Sequence, residues 1–364
     1  MSLPTPSTRE RYAAYADRIA DVSPTYAAWA RSLDDDLVAL LDTVPPSQRQ
    51  PELLFAVARG LGADPSDPAA LRALGQEARP ALVAALTTAA VQANDPRRLG
   101  PLVPVVAALA AAAARPLGLV DVGAAASLCS FPDRVTLDLR VHDTDGDDDR
   151  APVRSSRPDT RGRDGHSGAR SELVRMHTAP AEPSLRLTAD ARGTVPSPST
   201  PAIRVAGRVA LDPHPVDLRV PGAFDRLVQA VPPEATDRIA LMREAARVTV
   251  AEPPVRITGR VPDDLDRALD ALPADCEPVV LTAGTLVYVP GADRQRFVDR
   301  VAERGVRWVA LERTGILAGV ASTLPDGIDP EDPASFATVS LDGVALAVCD
   351  AFGTATRWFR DPSL

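Results

Sequence analysis

The chain contains no lysine: all 40 of its basic residues are arginine. A Schiff-base amine and a P-loop lysine are therefore both excluded. Aromatic residues make up only 4% of the sequence. Packing must rest on Leu, Val and Ala, and no base-stacking platform is visible. The three cysteines, Cys129, Cys276 and Cys349, are far apart and form no CxxC or Cys/His cluster, so neither a zinc site nor a disulfide framework is indicated. The longest apolar run, LGPLVPVVAALAAAAA at 99–114, contains Pro104 and falls short of the about 20 residues of a membrane span. The opening MSLPTPSTRERYAAYADRIA lacks the apolar core of a signal peptide, and a cytoplasmic location is expected. A formal net charge of -9 argues against a generic nucleic-acid binder, which carries a basic face. The GxSxG and HExxH signatures are also missing.

What is present is an ordinary globular composition, 45% hydrophobic over 364 residues. That length predicts two domains, or one large domain with an appendage. Residues 8–115 read as helix, with apolar residues at helical spacing in RERYAAYADRIA, PTYAAWARSLDDDLVALLDTV and PELLFAVARGLG. Two further helices fit 77–93 and 97–114, giving a helical domain over 1–115. From Leu117 the pattern changes to strands: LGLVDV, RVTLDLRV (134–141), IRVAGRVALD (203–212), PVRIT (254–258), EPVVLTAGTLVYV (277–289) and VRWVALE (306–312). Helical stretches at 222–231, 234–250, 262–272 and 291–304 lie between them. This alternation predicts an α/β domain over 116–364 with a mostly parallel sheet. ATVSLDG (337–343) and VALAVCDAF (344–352), joined across Asp342-Gly343, read as an antiparallel hairpin closing that sheet.

Residues 142–183 are rich in Asp, Arg, Gly, Pro and Ser and poor in apolar residues, which predicts a disordered insertion. Within it, DTDGDDD suggests a calcium loop, but Asp148 stands where the sharp turn needs Gly and Arg154 where the bidentate Glu belongs. His142, His166 and His177 also fall here, where mobile histidines make poor catalysts.

The chemistry concentrates in LGLVDVGAAASL (117–128). One reading is a strand, a turn and an Ala-rich helix, with Gly123 serving the turn and Asp121 capping the helix. The other is a cofactor turn. The order acid-x-Gly-x-x-x-small, running from Asp121 through Gly123 and Ala125 to Ser127, resembles the first motif of S-adenosylmethionine-dependent methyltransferases. GRVALDPHPVD (207–217) then places Asp212 at a strand's carboxyl end, where an acid takes ribose hydroxyls.

The resemblance extends to an uncharacterised bacterial family that joins an N-terminal helical region to a Rossmann methyltransferase-like core. It is carried by RQPELLFAVARGLG, VQANDPRRLGPLVPVVAAL, LVDVGAAASLCSFPDR, GRVALDPHPVD, VVLTAGTLVYVP, VRWVALE and DAFGTATRWF. It implies that fold, S-adenosylmethionine as cofactor, and no particular reaction. The chain departs from the family pattern in four places. Ser127 replaces a second Gly, Gln92-Ala93-Asn94-Asp95 replaces Gln-Thr-Asn-Glu, Gly259-Arg260 replaces Gly-Asp, and Phe352-Gly353 replaces His-Gly.

Further candidates follow from position. His214, just past Asp212, is a candidate general base. Tyr288 and Glu312 end strands at the edge where such folds react. Gln92, Asn94 and Arg98, with Asp95, form a polar group between two helices and are candidate substrate contacts. Arg134 beside Asp133 is another. Three readings stand. In the first, Asp121, Gly123, Ala125, Ser127 and Asp212 bind S-adenosylmethionine, and the helical domain lids the cleft over a small-molecule acceptor. In the second, a natural-product tailoring enzyme without the cofactor performs elimination or cyclisation on the same scaffold. In the third, the chain is a non-catalytic subunit. The expected partners are a small-molecule substrate and a homo-oligomer or protein partner, with no nucleic acid and no membrane.

Overall fold

A computed structural model describes residues 7–89, 94–142, 171–178, 184–196 and 202–362. The chain divides into two compact units, one of residues 1–93 with 217–243, the other of 94–216 with 244–364.

The described elements of the first unit are all helical. Its first segment contributes α1 (Thr8–Ile19), α2 (Pro24–Arg31), α3 (Asp35–Leu41), α4 (Pro51–Gly60), α5 (Ala70–Glu77) and α6 (Arg79–Thr88). Local sequence starts these helices. Ser7 and Glu10 form a capping box on α1, the Ser23 hydroxyl accepts from the Tyr26 amide with Pro24 at the first position of α2, and Asp34 caps α3. Their apolar stripes meet in a core in which Tyr12, Tyr15, Tyr26, Trp29 and Phe55 collect. Phe55 sits 4.9 Å from Tyr26, 5.4 Å from Trp29 and 5.9 Å from Tyr15, centroid to centroid, so five of the fourteen aromatics share one cluster where edge contacts add to burial.

The second unit opens with α7 (Leu99–Ala112), a helix with Pro104 inside it that is buried on all sides from Leu99 to Ala107. A helix apolar all round belongs inside a core. It is followed by β1 (Leu117–Val122), β2 (Val135–His142), β3 (Ser171–His177), β4 (Leu185–Gly193) and β5 (Val205–Asp212). The chain then supplies α8 (Ala223–Val228) and the start of α9 (Thr236–Ala251) to the first unit. In that unit Arg59 donates to the Tyr26 hydroxyl at 2.8 Å and to the carbonyls of Gln229 and Val231 at 3.0 and 2.7 Å. Glu234 accepts from the Ser23 hydroxyl and the Thr25 amide. These contacts explain why residues 217–243 belong with the N-terminal helices, where the sequence placed them in the sheet domain.

The remaining elements are β6 (Val255–Thr258), α10 (Leu265–Asp270), β7 (Glu277–Ala283), α11 (Gly291–Glu303), β8 (Arg307–Arg313), α12 (Ala318–Ala321), β9 (Ala337–Leu341), β10 (Val344–Cys349) and β11 (Ala355–Trp358). All strands join one sheet in the order β3-β2-β4-β11-β10-β9-β8-β7-β1-β5-β6. The block β6-β5-β1-β7-β8 is entirely parallel. β8, β9 and β10 then run antiparallel in succession. The protein is thus α/β with a large mixed, mostly parallel sheet. One face of the parallel block packs Val120, Val122, Val209 and Val280 against Leu265 and Leu269 of α10 and Phe297 and Val301 of α11. α7 packs against β8 and β9 and also against β2 and β4. Those pairs lie on either side of β10 and β11 in the sheet, so the sheet curls around this helix.

The β9–β10 hairpin turns through Asp342 (φ 49°) and Gly343 (φ 82°), the left-handed pair that suits a two-residue hairpin. It does not close the sheet, because β10 pairs onward with β11. Part of the expected insertion is ordered: residues 171–177 form β3, antiparallel to β2. His142 and His177 accordingly lie in strands, His142 2.7 Å from the Asp190 carboxylate and His177 2.8 Å from the Thr136 hydroxyl. His166 and the DTDGDDD stretch lie outside the described residues.

Candidate functional site

The parallel block places the carboxyl ends of β1, β5, β7 and β8 side by side, and most of the polar residues expected to act converge there. Between β1 and β2 the chain makes a series of turns from Gly123 to Arg134 with no helix. The Ala-rich helix expected after the strand is absent for a physical reason. Gly123, Ala125 and Ser127 all have positive φ, 73°, 48° and 61°, a left-handed alternation that no right-handed helix tolerates.

Side chains from three other segments hold this turn. Asn94 donates to the Ala124 carbonyl at 3.0 Å and accepts from the Leu128 amide at 2.6 Å. The Asp212 carboxylate accepts from the Ala125 amide at 2.9 Å and from the His214 amide at 2.7 Å. The Thr249 hydroxyl donates to the Ser127 carbonyl at 3.3 Å, and the Ser130 hydroxyl donates to Asp121 at 2.5 Å. The Val216 amide reaches the Ala125 carbonyl at 2.9 Å. Gly123 is required twice over, by its φ and by space. A Cβ there would lie 2.2 Å from the Thr285 hydroxyl oxygen, which donates to the Val122 carbonyl at 3.0 Å.

Two buried acids flank the turn. Asp121 is 3% exposed. Burial pushes its pKa up to about 7, the Asp212 charge pushes the same way, and the Ser130 hydrogen bond opposes both. Glu312, at the end of β8, is 2% exposed and accepts from the amides of Thr285 and Leu286 at 3.1 and 3.0 Å. Burial raises its pKa to about 7, against those hydrogen bonds and the charge of Arg98. In both, burial favours the protonated carboxyl. A cavity of about 10 Å³ beside Glu312, lined also by Leu317, Thr338 and Ser340, is the size of one water.

Arg98 donates to the Ala283 carbonyl at 2.7 Å. It lies flat on Gly284, where a Cβ would meet the guanidinium at 2.9 Å. The structure therefore gathers Asp121, Gly123, Ala125, Ser127, Asp212, Asn94, Arg98 and Glu312 at one edge of the sheet. The other candidates fare differently. His214 is exposed just beyond Asp212, and Tyr288, 69% exposed, sits on a 3-10 turn (Leu286–Tyr288) rather than at the end of β7. Arg134 belongs to a four-charge network in which it pairs with Glu252 and Arg208 pairs with Asp133. Gln92 lies outside the described residues. Thr285, Ser130 and Thr249 were missed. Thr285 had a signal in TAGT, a Gly-Thr pair directly after a strand, whereas Ser130 and Thr249 had none.

Two positions at which the resemblance implies another residue, Arg260 and Phe352, are accommodated locally. The Arg260 side chain is exposed while its amide donates to Asp264 at 2.8 Å. The Arg97 guanidinium lies 4.2 Å from the centre of the Phe352 ring. Gly353, at φ 73°, leaves room that a Cβ would lose to Pro101.

The chain belongs to a bacterial family described as an uncharacterized protein conserved in bacteria (DUF2332), and the match covers residues 9–358. No curated protein and no solved structure matches it.

Proposed function

We propose that the protein is a methyltransferase-like enzyme with a Rossmann-type core. It binds S-adenosylmethionine at the carboxyl ends of β1, β5 and β7 and acts on a small molecule. One observation carries this reading: the parallel order β6-β5-β1-β7-β8. From β1 the strands run outward in one direction through β5 and β6 and in the other through β7 and β8. The reversal leaves a crevice between the ends of β1 and β7, where doubly wound sheets take their ligands. Gly123 and Gly284 stand at these strand ends, where the absence of a Cβ admits the Thr285 and Arg98 side chains.

The residues present suit part of such a cofactor. Asp212 spends one hydrogen bond on each oxygen, and a carboxylate retains further lone pairs for ribose hydroxyls. When bound, S-adenosylmethionine supplies an electrophilic methyl group. The chain's own contribution is positioning by the crevice and a proton acceptor near neutrality from Glu312, with His214 at the rim.

A second reading is favoured by the turn itself. Its Ala125 amide is consumed by Asp212, and no helix N-terminus follows it. Both features favour a scaffold without the cofactor, on which elimination or cyclisation would be performed. Calorimetric titration separates the two. Heat on adding S-adenosylmethionine, lost in Asp212→Ala, supports the first; a folded protein giving no heat eliminates it in favour of the second.

A further inference from the structure

The geometry points to the outer edge of β3 as a self-association surface whose occupant is β3 of a second copy of this chain. β3 ends the sheet, and its pairing with β2 runs without a bulge from Thr136↔His177 to His142↔Ser171. Just beyond it, the Thr178 amide donates to the Val135 carbonyl at 2.9 Å. Hydrogen-bonded and non-hydrogen-bonded pairs alternate along an antiparallel ladder. That bond therefore sets the phase: Met176, Val174 and Glu172 turn their backbone groups toward β2. Ser171, Leu173, Arg175 and His177 turn theirs outward, where no described residue pairs with them.

Sheet edges are normally guarded by a proline, a bulge, brevity or charged side chains, and of these β3 has only its charges, Glu172 and Arg175. β3 has seven residues, no proline and no bulge, and Leu173 on its edge is 57% exposed. The second copy is selected by self-complementarity. A two-fold axis through Val174 pairs the strand over its whole length with itself. In that register, and in phase with the outward groups, Ser171 faces His177 of the second copy and Leu173 faces Arg175, each pair exchanging two N–H···O bonds. Val174 meets its own equivalent, and Glu172 faces Met176. No like charges stand directly opposite each other, and each Arg175 lies 2.5 Å from Asp138, a carboxylate that it shares with Arg186 and that leaves the pair a net positive charge. A closed two-fold dimer is the commonest outcome of such an isologous patch.

The test is sedimentation equilibrium of the full chain across a concentration series, with two substitutions at exposed Leu173. Leu173→Arg opposes Arg175 of the second copy at two symmetric positions and is expected to weaken dimerisation about tenfold. Leu173→Glu faces the same arginine with opposite charge and is expected to preserve or tighten it. Hydrogen exchange on the unmodified chain is expected to show Leu173 and Arg175 amides protected only at concentrations where the dimer forms. A chain that stays monomeric throughout, a dimer that both substitutions weaken alike or neither affects, or protection of those amides in the monomer by another segment, would each overturn the proposal.

Discussion

The Asp212 carboxylate accepts the Ala125 amide at 2.9 Å, joining the end of β5 to the left-handed turn after β1 across 87 positions of sequence. Both groups are buried, so the bond acts in a medium where a missing partner is costly. Asp212→Ala leaves the Ala125 amide without its acceptor and is expected to lower stability by about 1–3 kcal/mol. Asp212→Asn keeps an acceptor oxygen and should lose less. Urea denaturation of the three proteins checks the order.

The positive φ angles along the same turn predict opposite effects for two similar exchanges. Gly123→Ala introduces a Cβ into the left-handed region and against Thr285, with an expected loss of about 2–4 kcal/mol from strain and overpacking together. Ala125→Gly removes strain of about 1–2 kcal/mol at a smaller entropic loss of about 0.5–1 kcal/mol. The melting temperature should therefore fall in the first and rise slightly in the second.

Stability is expected to fall as pH rises from about 4 to about 7. Asp121 and Glu312 have folded pKa values raised to about 7, above their values of about 4 in the unfolded chain. Between about pH 4 and pH 7 the folded state thus holds more protons than the unfolded one, and the slope of unfolding free energy against pH is negative. Glu312→Gln should flatten its share of this slope. Denaturation midpoints at pH 5 and pH 8 give the comparison, which fails if the variant keeps the parent's full pH dependence.

Arg59 bonds the Tyr26 hydroxyl and the carbonyls of Gln229 and Val231, tying residues 217–243 to the N-terminal helices. Arg59→Ala strands those carbonyls and is expected to destabilise by about 2–4 kcal/mol, a charged donor serving several acceptors. Limited proteolysis should then cut first between Ala223 and Val231, and cleavage unchanged from the parent would contradict this.

Much of the fold is legible in the sequence. The helices fall where apolar spacing puts them, and β1, β5, β6, β7 and β8 fall on their apolar runs. β4 was legible too, because Leu185, Leu187 and Ala189 alternate with Arg186, Thr188 and Asp190 in the pattern of a half-buried strand, but it directly follows the charged stretch that reads as an insertion. β3 sits in a stretch whose charged surroundings suggest disorder, and β11 has only four residues. The site's strand ends were readable. Its interior was not, because Asn94, Asp212 and Thr249 reach the turn from 30 or more positions away, and no local spacing encodes such contacts.

The most direct test of the central claim is a crystal structure of the protein grown with S-adenosylmethionine. The account predicts density for the cofactor over the carboxyl ends of β1 and β7, between Gly123 and Gly284, with its ribose at Asp212. A crevice that stays empty at saturating cofactor, or density bound elsewhere on the chain, contradicts it.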